Sequence, residues 1–104
     1  MSIIIVATAV PLPEHRDEVI AAFEKAEEIV HAGEDGCLLY ALHEAPNGDL
    51  VMIEKYADQA AVDAHTSGAG IAGLIADLKG KLAGPLDVKF LTPHPAGSPA
   101  KGVL

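Results

Sequence analysis

Residues 36–65, GCLLYALHEAPNGDLVMIEKYADQAAVDAH, read as a β-hairpin that feeds a short helix. Cys37–His43 and Leu50–Tyr56 read as strands, and between them lies Ala45-Pro46-Asn47-Gly48-Asp49. Asn-Gly is the strongest short-range hairpin signal, because both residues tolerate positive φ. In the first run, alternation places Leu38, Tyr40 and Leu42 on one face and Cys37, Leu39 and Ala41 on the other. Both faces of that strand are therefore apolar. After the second run, Asp58 is a natural N-cap for an Ala-rich helix ending near His65, since its carboxylate can accept from the first free amides.

Outward from this stretch, Ser2–Val10 is β-branched and apolar without alternation, the pattern of a strand covered on both faces. Pro11 and Pro13 stop its ladder. From Glu14 the period changes, and Val19, Phe23, Ala26 and Val30 form one helical stripe, with Gly33 as a C′ stop and Gly36 closing the turn. Beyond His65, Ser67-Gly68-Ala69-Gly70 interrupts the helix. A second segment then carries Ile71, Leu74, Ile75, Leu78 and Leu82 on one face and ends at Gly84-Pro85. Leu86–Thr92 alternates, with Leu86, Val88 and Phe90 on one side and Asp87 and Lys89 on the other.

The order is βαββαβ with the second helix broken. This predicts an α+β, ferredoxin-like domain over residues 1–92, with a four-stranded antiparallel sheet, followed by a Pro/Gly-rich tail over 93–104. Two helices cover only one face of such a sheet. Strands with apolar residues on both faces would leave a patch larger than monomers usually expose, and a second copy is the simplest cover. A homodimer built sheet against sheet is expected.

At 104 residues the chain fits one domain, and 50% hydrophobic residues exclude a disordered polymer. Seven basic against fifteen acidic residues give a net charge of −8, which repels phosphate backbones, so no nucleic-acid partner is expected. The apolar runs are too short to span a bilayer, which takes roughly 20 residues, so no membrane partner is expected. No basic stretch followed by an apolar core opens the chain. Cys37 is the only cysteine, so the fold needs no disulfide. The expected location is cytoplasmic.

The five histidines, at 15, 31, 43, 65 and 94, never fall at i,i+2 or i,i+4, and neither HExxH nor CxxC occurs, so no metal site is expected. His15, His31, His43 and His94 sit in turns or at element ends and read as solvated. His65 follows a run of small apolar residues just before a helix break. It either closes that helix by donating to its last carbonyls or serves as a proton acceptor or hydrogen-bond donor for a substrate. Glu54 is a carboxylate inside a strand whose same-face neighbours are Met52 and Tyr56. It needs a partner or access to water, because an unpaired charge is costly to bury. Cys37 reads as a small buried hydrophobe. Phe23, Tyr40, Tyr56 and Phe90 are core residues first, some of which could line a hollow between sheet and helices.

Two of these stretches resemble a known family. Gly36-Cys37-Leu38-Leu39-Tyr40-Ala41-Leu42 resembles the second strand of the antibiotic biosynthesis monooxygenase domain. Met52 to His65, a strand ending Glu-x-aromatic, an acidic cap, an Ala-rich turn and Ala-His, resembles its longer signature. The resemblance implies a dimeric α+β barrel. It also implies oxidation of a small quinol, phenol or polyketide-like aromatic by O₂ without metal, flavin or haem, because a deprotonated, electron-rich substrate can itself reduce oxygen. Carried onto this chain, it makes His65 the catalytic residue, as base or orienting donor. Tyr40, Glu54 and Tyr56 match the motif, and with Phe23 and Met52 they form the expected substrate-binding set. Haem-degrading relatives carry an Asn on the first strand, a Trp near the position of His65 and an axial His about ten residues later. This chain has no such Asn, no Trp at all, and Ile75 near the last position, so no haem is expected. The alternative is a non-catalytic ligand-binding or stress-related barrel. An isomerase or decarboxylase using the same histidine is a third possibility.

Overall fold

The computed structural model describes residues 2–104. Strand β1 (Ile3–Ala9) leads through a single 3-10 turn (Pro13–His15) into helix α1 (Arg16–Gly33). The hairpin β2 (Cys37–Glu44) and β3 (Leu50–Tyr56) follows, then α2 (Gln59–Thr66), α3 (Ala69–Leu78) and β4 (Asp87–Leu91). The sheet is antiparallel throughout, in the order β2-β3-β1-β4. This is the ferredoxin-like α+β fold, with its second helix in two pieces.

All helices lie on one face of the sheet. The stripe Val19, Phe23, Ala26 and Val30 of α1 is buried against Ala7, Ala9, Tyr40, Leu50 and Met52. The opposite face carries Ile4 and Val6 of β1, Leu39 and Ala41 of β2, and Val51 and Ile53 of β3, in register across the sheet. No helix covers it.

Cys37 does not share a face with Leu39: a bulge between the two leaves Leu38 as the extra residue, 56% exposed, and turns Cys37 toward the helices opposite Tyr56. Gly33 is still helical, and the helix ends at Glu34, whose N–H donates to the Val30 carbonyl; Gly36 closes the turn that follows, as expected, with Cys37 N–H donating to Glu34 O. In the hairpin only Gly48 has positive φ (94°), because the Gly48 N–H bonds to Ala45 O in a turn with Pro46 second. That is a type I turn closed by a left-handed glycine rather than a two-residue turn with both residues left-handed. Helix α3 stops at Leu78, because Gly80 (φ 77°) reverses the chain. Leu82 instead pairs with Pro11 in an antiparallel bridge. The bonds flanking that bridge, Leu12 N–H to Lys81 O and Ala83 N–H to Val10 O, leave the missing proline N–H without consequence.

His31 is exposed at its ring yet not merely solvated. Its Nε2–H donates to the Tyr40 carbonyl at 2.8 Å, satisfying an acceptor on the open edge of β2, and the ring meets Tyr40 edge-on. Arg16 ties the start of α1 to the hairpin through Gly48 O and Glu44. Residues 93–104 form no strand or helix and are largely exposed. Among the described residues no helix is long and apolar enough to cross a membrane.

Candidate active site

Helix α3 packs chiefly on α1 rather than on the sheet. A hollow of about 190 Å³ is thereby left between α3 and the β1–β4 side of the sheet. Its walls are Ile5 and Ala7, Phe23, Tyr40, Met52 and Glu54, His65 and Thr66, Ile71 and Leu74, and Leu86, Val88 and Phe90. The lining is apolar except at Tyr40, Glu54, His65 and Thr66, and it contains no lysine or arginine.

His65 is placed there by α2. Asp58 caps that helix by accepting from Ala61 N–H at 2.9 Å, as its position before the Ala-rich run predicts. The last turn is closed by the hydroxyls of Thr66, on Val62 O, and Ser67, on Asp63 O. His65 is thus not spent on the helix end. It is 5% exposed, and its Nδ1–H donates to Glu34 Oε1 at 2.8 Å. That bond fixes the tautomer and leaves Nε2 with a free lone pair.

Nε2 lies 3.6 Å from Glu54 Oε1, too far for a hydrogen bond but close enough for strong attraction once the ring is charged. Glu54 is 4% exposed and accepts from the Tyr56 hydroxyl at 2.6 Å. Burial lifts its carboxyl above the usual range, against the Tyr56 hydrogen bond and the proximity of His65, which pull it down. The Tyr40 and Tyr56 phenols are pushed up by burial first, with the hydrogen bond to Glu54 adding to Tyr56 and the Glu54 charge adding to both, so both stay neutral donors. The two tyrosines flank the imidazole, with ring centroids 5.5 Å (Tyr40) and 5.1 Å (Tyr56) from it. Burial also raises the Cys37 thiol, which leaves it a poor nucleophile.

Of the residues expected from sequence, Phe23, Tyr40, Met52, Glu54 and His65 meet around one cavity. Tyr56 does not line it. Fully buried beside Ile5 and Val62, it holds Glu54 from behind. Glu34 was not singled out from sequence, although one signal was present: a carboxylate at the C-terminus of a helix opposes the macrodipole, and here His65 offsets that cost. Thr66, Ile71, Leu74 and the β4 side chains are further wall residues that periodicity marked only as helix or strand. Among the described residues no three His, Cys, Asp or Glu side chains group to hold a metal ion. The two carboxylates nearest His65 lie against opposite ring nitrogens.

The family described as antibiotic biosynthesis monooxygenase matches residues 2–75. The chain belongs to that family. The match runs from β1 into α3 and includes every residue of the His65 cluster. Solved structures agree with this antibiotic biosynthesis monooxygenase fold. The Mycobacterium tuberculosis protein Rv0793 is 28% identical over 94% of this chain and 100% of its own, with a TM-score of 0.84. A Caulobacter crescentus protein, provisionally assigned as an antibiotic biosynthesis monooxygenase, is 27% identical over 86% of this chain and 87% of its own, with a TM-score of 0.82. A conserved protein of Methanosarcina mazei, 20% identical over 88% of this chain and 91% of its own, shares the fold with a TM-score of 0.80. No curated protein matches the chain.

Proposed function

We propose that this chain is a cofactor-independent monooxygenase that oxidises a small, uncharged phenol or quinol with O₂, and that it works in the cytoplasm as a homodimer. The observation that carries the reading is the division of labour at His65. One nitrogen is committed to Glu34, and the other is presented at an apolar cavity beside Glu54. A histidine so oriented is a general base whose charged form sits between two carboxylates.

The phenolic proton passes to Nε2, and the phenolate gives an electron to O₂. The substrate radical and superoxide then join through a new C–O bond. The peroxide regains a proton from Nε2. Loss of the C–H proton to Nε2 and of hydroxide, which combine as water, leaves a carbonyl. One oxygen atom stays in the product and one leaves as water. The substrate supplies all four electrons, so no other reductant is required. Tyr40 serves as a hydrogen-bond donor to substrate oxygen, Phe23 and Met52 as apolar walls, and Glu54, steadied by Tyr56, as the charge that favours the imidazolium.

Cavity size and charge narrow the substrate. An engineered cavity of about 150 Å³ takes up benzene, so about 190 Å³ fits one ring with substituents or a fused pair. With no cation in the lining and Glu54 in the wall, an anionic substrate would meet like charge unpaired.

Anaerobically reduced quinols, mixed with protein and then with O₂, test this reading. The wild type is expected to form product faster than buffer, with one atom of labelled O₂ retained, and His65→Ala to lose about 100- to 10,000-fold. Product formed at the buffer rate by both proteins overturns it.

A further inference from the structure

His65 separates two hollows that share no lining residue. Nε2 serves the apolar cavity, whereas Nδ1 meets Glu34. The Glu34 side chain is 13% exposed and lines an open groove on the outer surface with Gly36, Ala61, Ala64 and Gly68. The groove stays open at Gly36 and Gly68 because neither has a side chain. A Cβ on Gly68 would stand 3.3 Å from Glu34 Oε2, and one on Gly36 would strike Ala61 Cβ at 2.5 Å. The cavity itself has an apolar lining in which only four side chains can move or hold a proton.

We infer that Glu34 is the proton port of His65, linking the imidazole to bulk water through the outer groove, so that protons enter and leave without water passing through the cavity. The inference rests on His65 being the base of the reaction proposed above. When Nε2 takes the phenolic proton, the Nδ1 proton moves to Glu34 Oε1; the ring returns to neutral, and the negative charge passes from Glu34 to the phenolate. When the peroxide recovers a proton from Nε2, Glu34 returns one to Nδ1. Between these events Glu34 exchanges with the water of the groove. Glu54 and Tyr56 of β3 and Tyr40 of β2 are the other titratable groups around the ring. Tyr56 is committed to Glu54, and neither tyrosine ionises readily. Glu34 is a positioning and relay residue, not one that touches substrate.

Exchange of the His65 Nδ1 proton with water, followed by ¹⁵N-histidine NMR on the full chain, tests the port without requiring turnover. Glu34→Gln keeps an acceptor for Nδ1–H but cannot carry a proton, and exchange is expected to slow about 100-fold, the scale of general acid–base catalysis. Ala64→Leu leaves Glu34 and His65 intact but fills the groove, and is expected to slow exchange in the same direction. Glu34→Asp should retain most of the wild-type rate. Under turnover with a reduced quinol, Glu34→Gln is expected to lose kcat with KM unchanged, and added formate to restore part of it. Wild-type exchange in both Glu34→Gln and Ala64→Leu overturns the port. If no quinol is oxidised by any of these proteins while exchange still depends on Glu34, the port stands and the oxygenation falls.

Discussion

Glu54 carries an acid group inside the wall of an apolar cavity, and its state is readable from stability. Burial holds its carboxyl above the ordinary value of 4.5. The folded protein therefore keeps a proton that the unfolded chain has already released. The stability contributed by this group is complete below the unfolded value and is lost as pH rises through the folded one. Glu54→Gln has the same shape and no such titration. Its melting temperature relative to wild type should climb as pH is raised from about 4 to about 7, measured by calorimetry in matched buffers. Tyr56→Phe acts in the opposite sense. It removes the donor that holds the Glu54 carboxylate at 2.6 Å. It should cost about 1–3 kcal/mol at neutral pH, the scale for leaving a buried acceptor unpaired, and less in acid where the carboxyl is neutral. A cost independent of pH would mean that Tyr56 matters only as packing.

At the scale of elements, the site depends on how closely α2 approaches the turn between α1 and β2. Gly36 allows that approach, since an added Cβ would lie 2.5 Å from Ala61 Cβ. Gly36→Ala should destabilise by about 1–3 kcal/mol, as overpacking does, and should loosen the Glu34–His65 bond by displacing α2. Ala61→Gly alone should cost about 1 kcal/mol from helix propensity. The double variant should be more stable than the two losses combined predict, and a denaturant-based mutant cycle reads that coupling. These elements also show what sequence conveys. The α1 stripe, the Asp58 cap and the β2–β3 hairpin were legible because each is written in local spacing. The bulge at Leu38 was not, because Cys37-Leu38-Leu39 is uniformly apolar and alternation has no marker there. Leu82 kept the helical period after Gly80 had already turned the chain. Glu34 was missed for a different reason: its partner lies 31 residues away, and pairing over that distance comes only from the topology that sets α2 beside the end of α1.

At the scale of the whole molecule, the helix-free face of the sheet has the composition of an interface. Ile53 and Val6 stand side by side at its centre, flanked by Ala41 and Lys89 along one row of the register. Leu39, Val51 and the 46% exposed Leu91 extend the apolar area, whereas Ile4, beside Leu91, is already buried. Lys55, Lys89, Asp87, His43 and Thr8 lie on the same face around it. An apolar centre with a polar rim is how stable protein contacts are organised, and a two-fold arrangement lets one such patch cover its own copy. Covering it would also give β1 the second dry side that its apolar run without alternation calls for. Sedimentation equilibrium at micromolar concentration should therefore give twice the mass of the chain. Ile53→Lys places a charge at the centre of the patch, where burial against a copy would leave it unpaired. It should shift the protein to the single-chain mass while the far-ultraviolet spectrum stays native. Lys89→Ala, at the rim, should leave the dimer in place. A wild type that sediments as one chain would leave that face wet in solution and overturn the proposed homodimer.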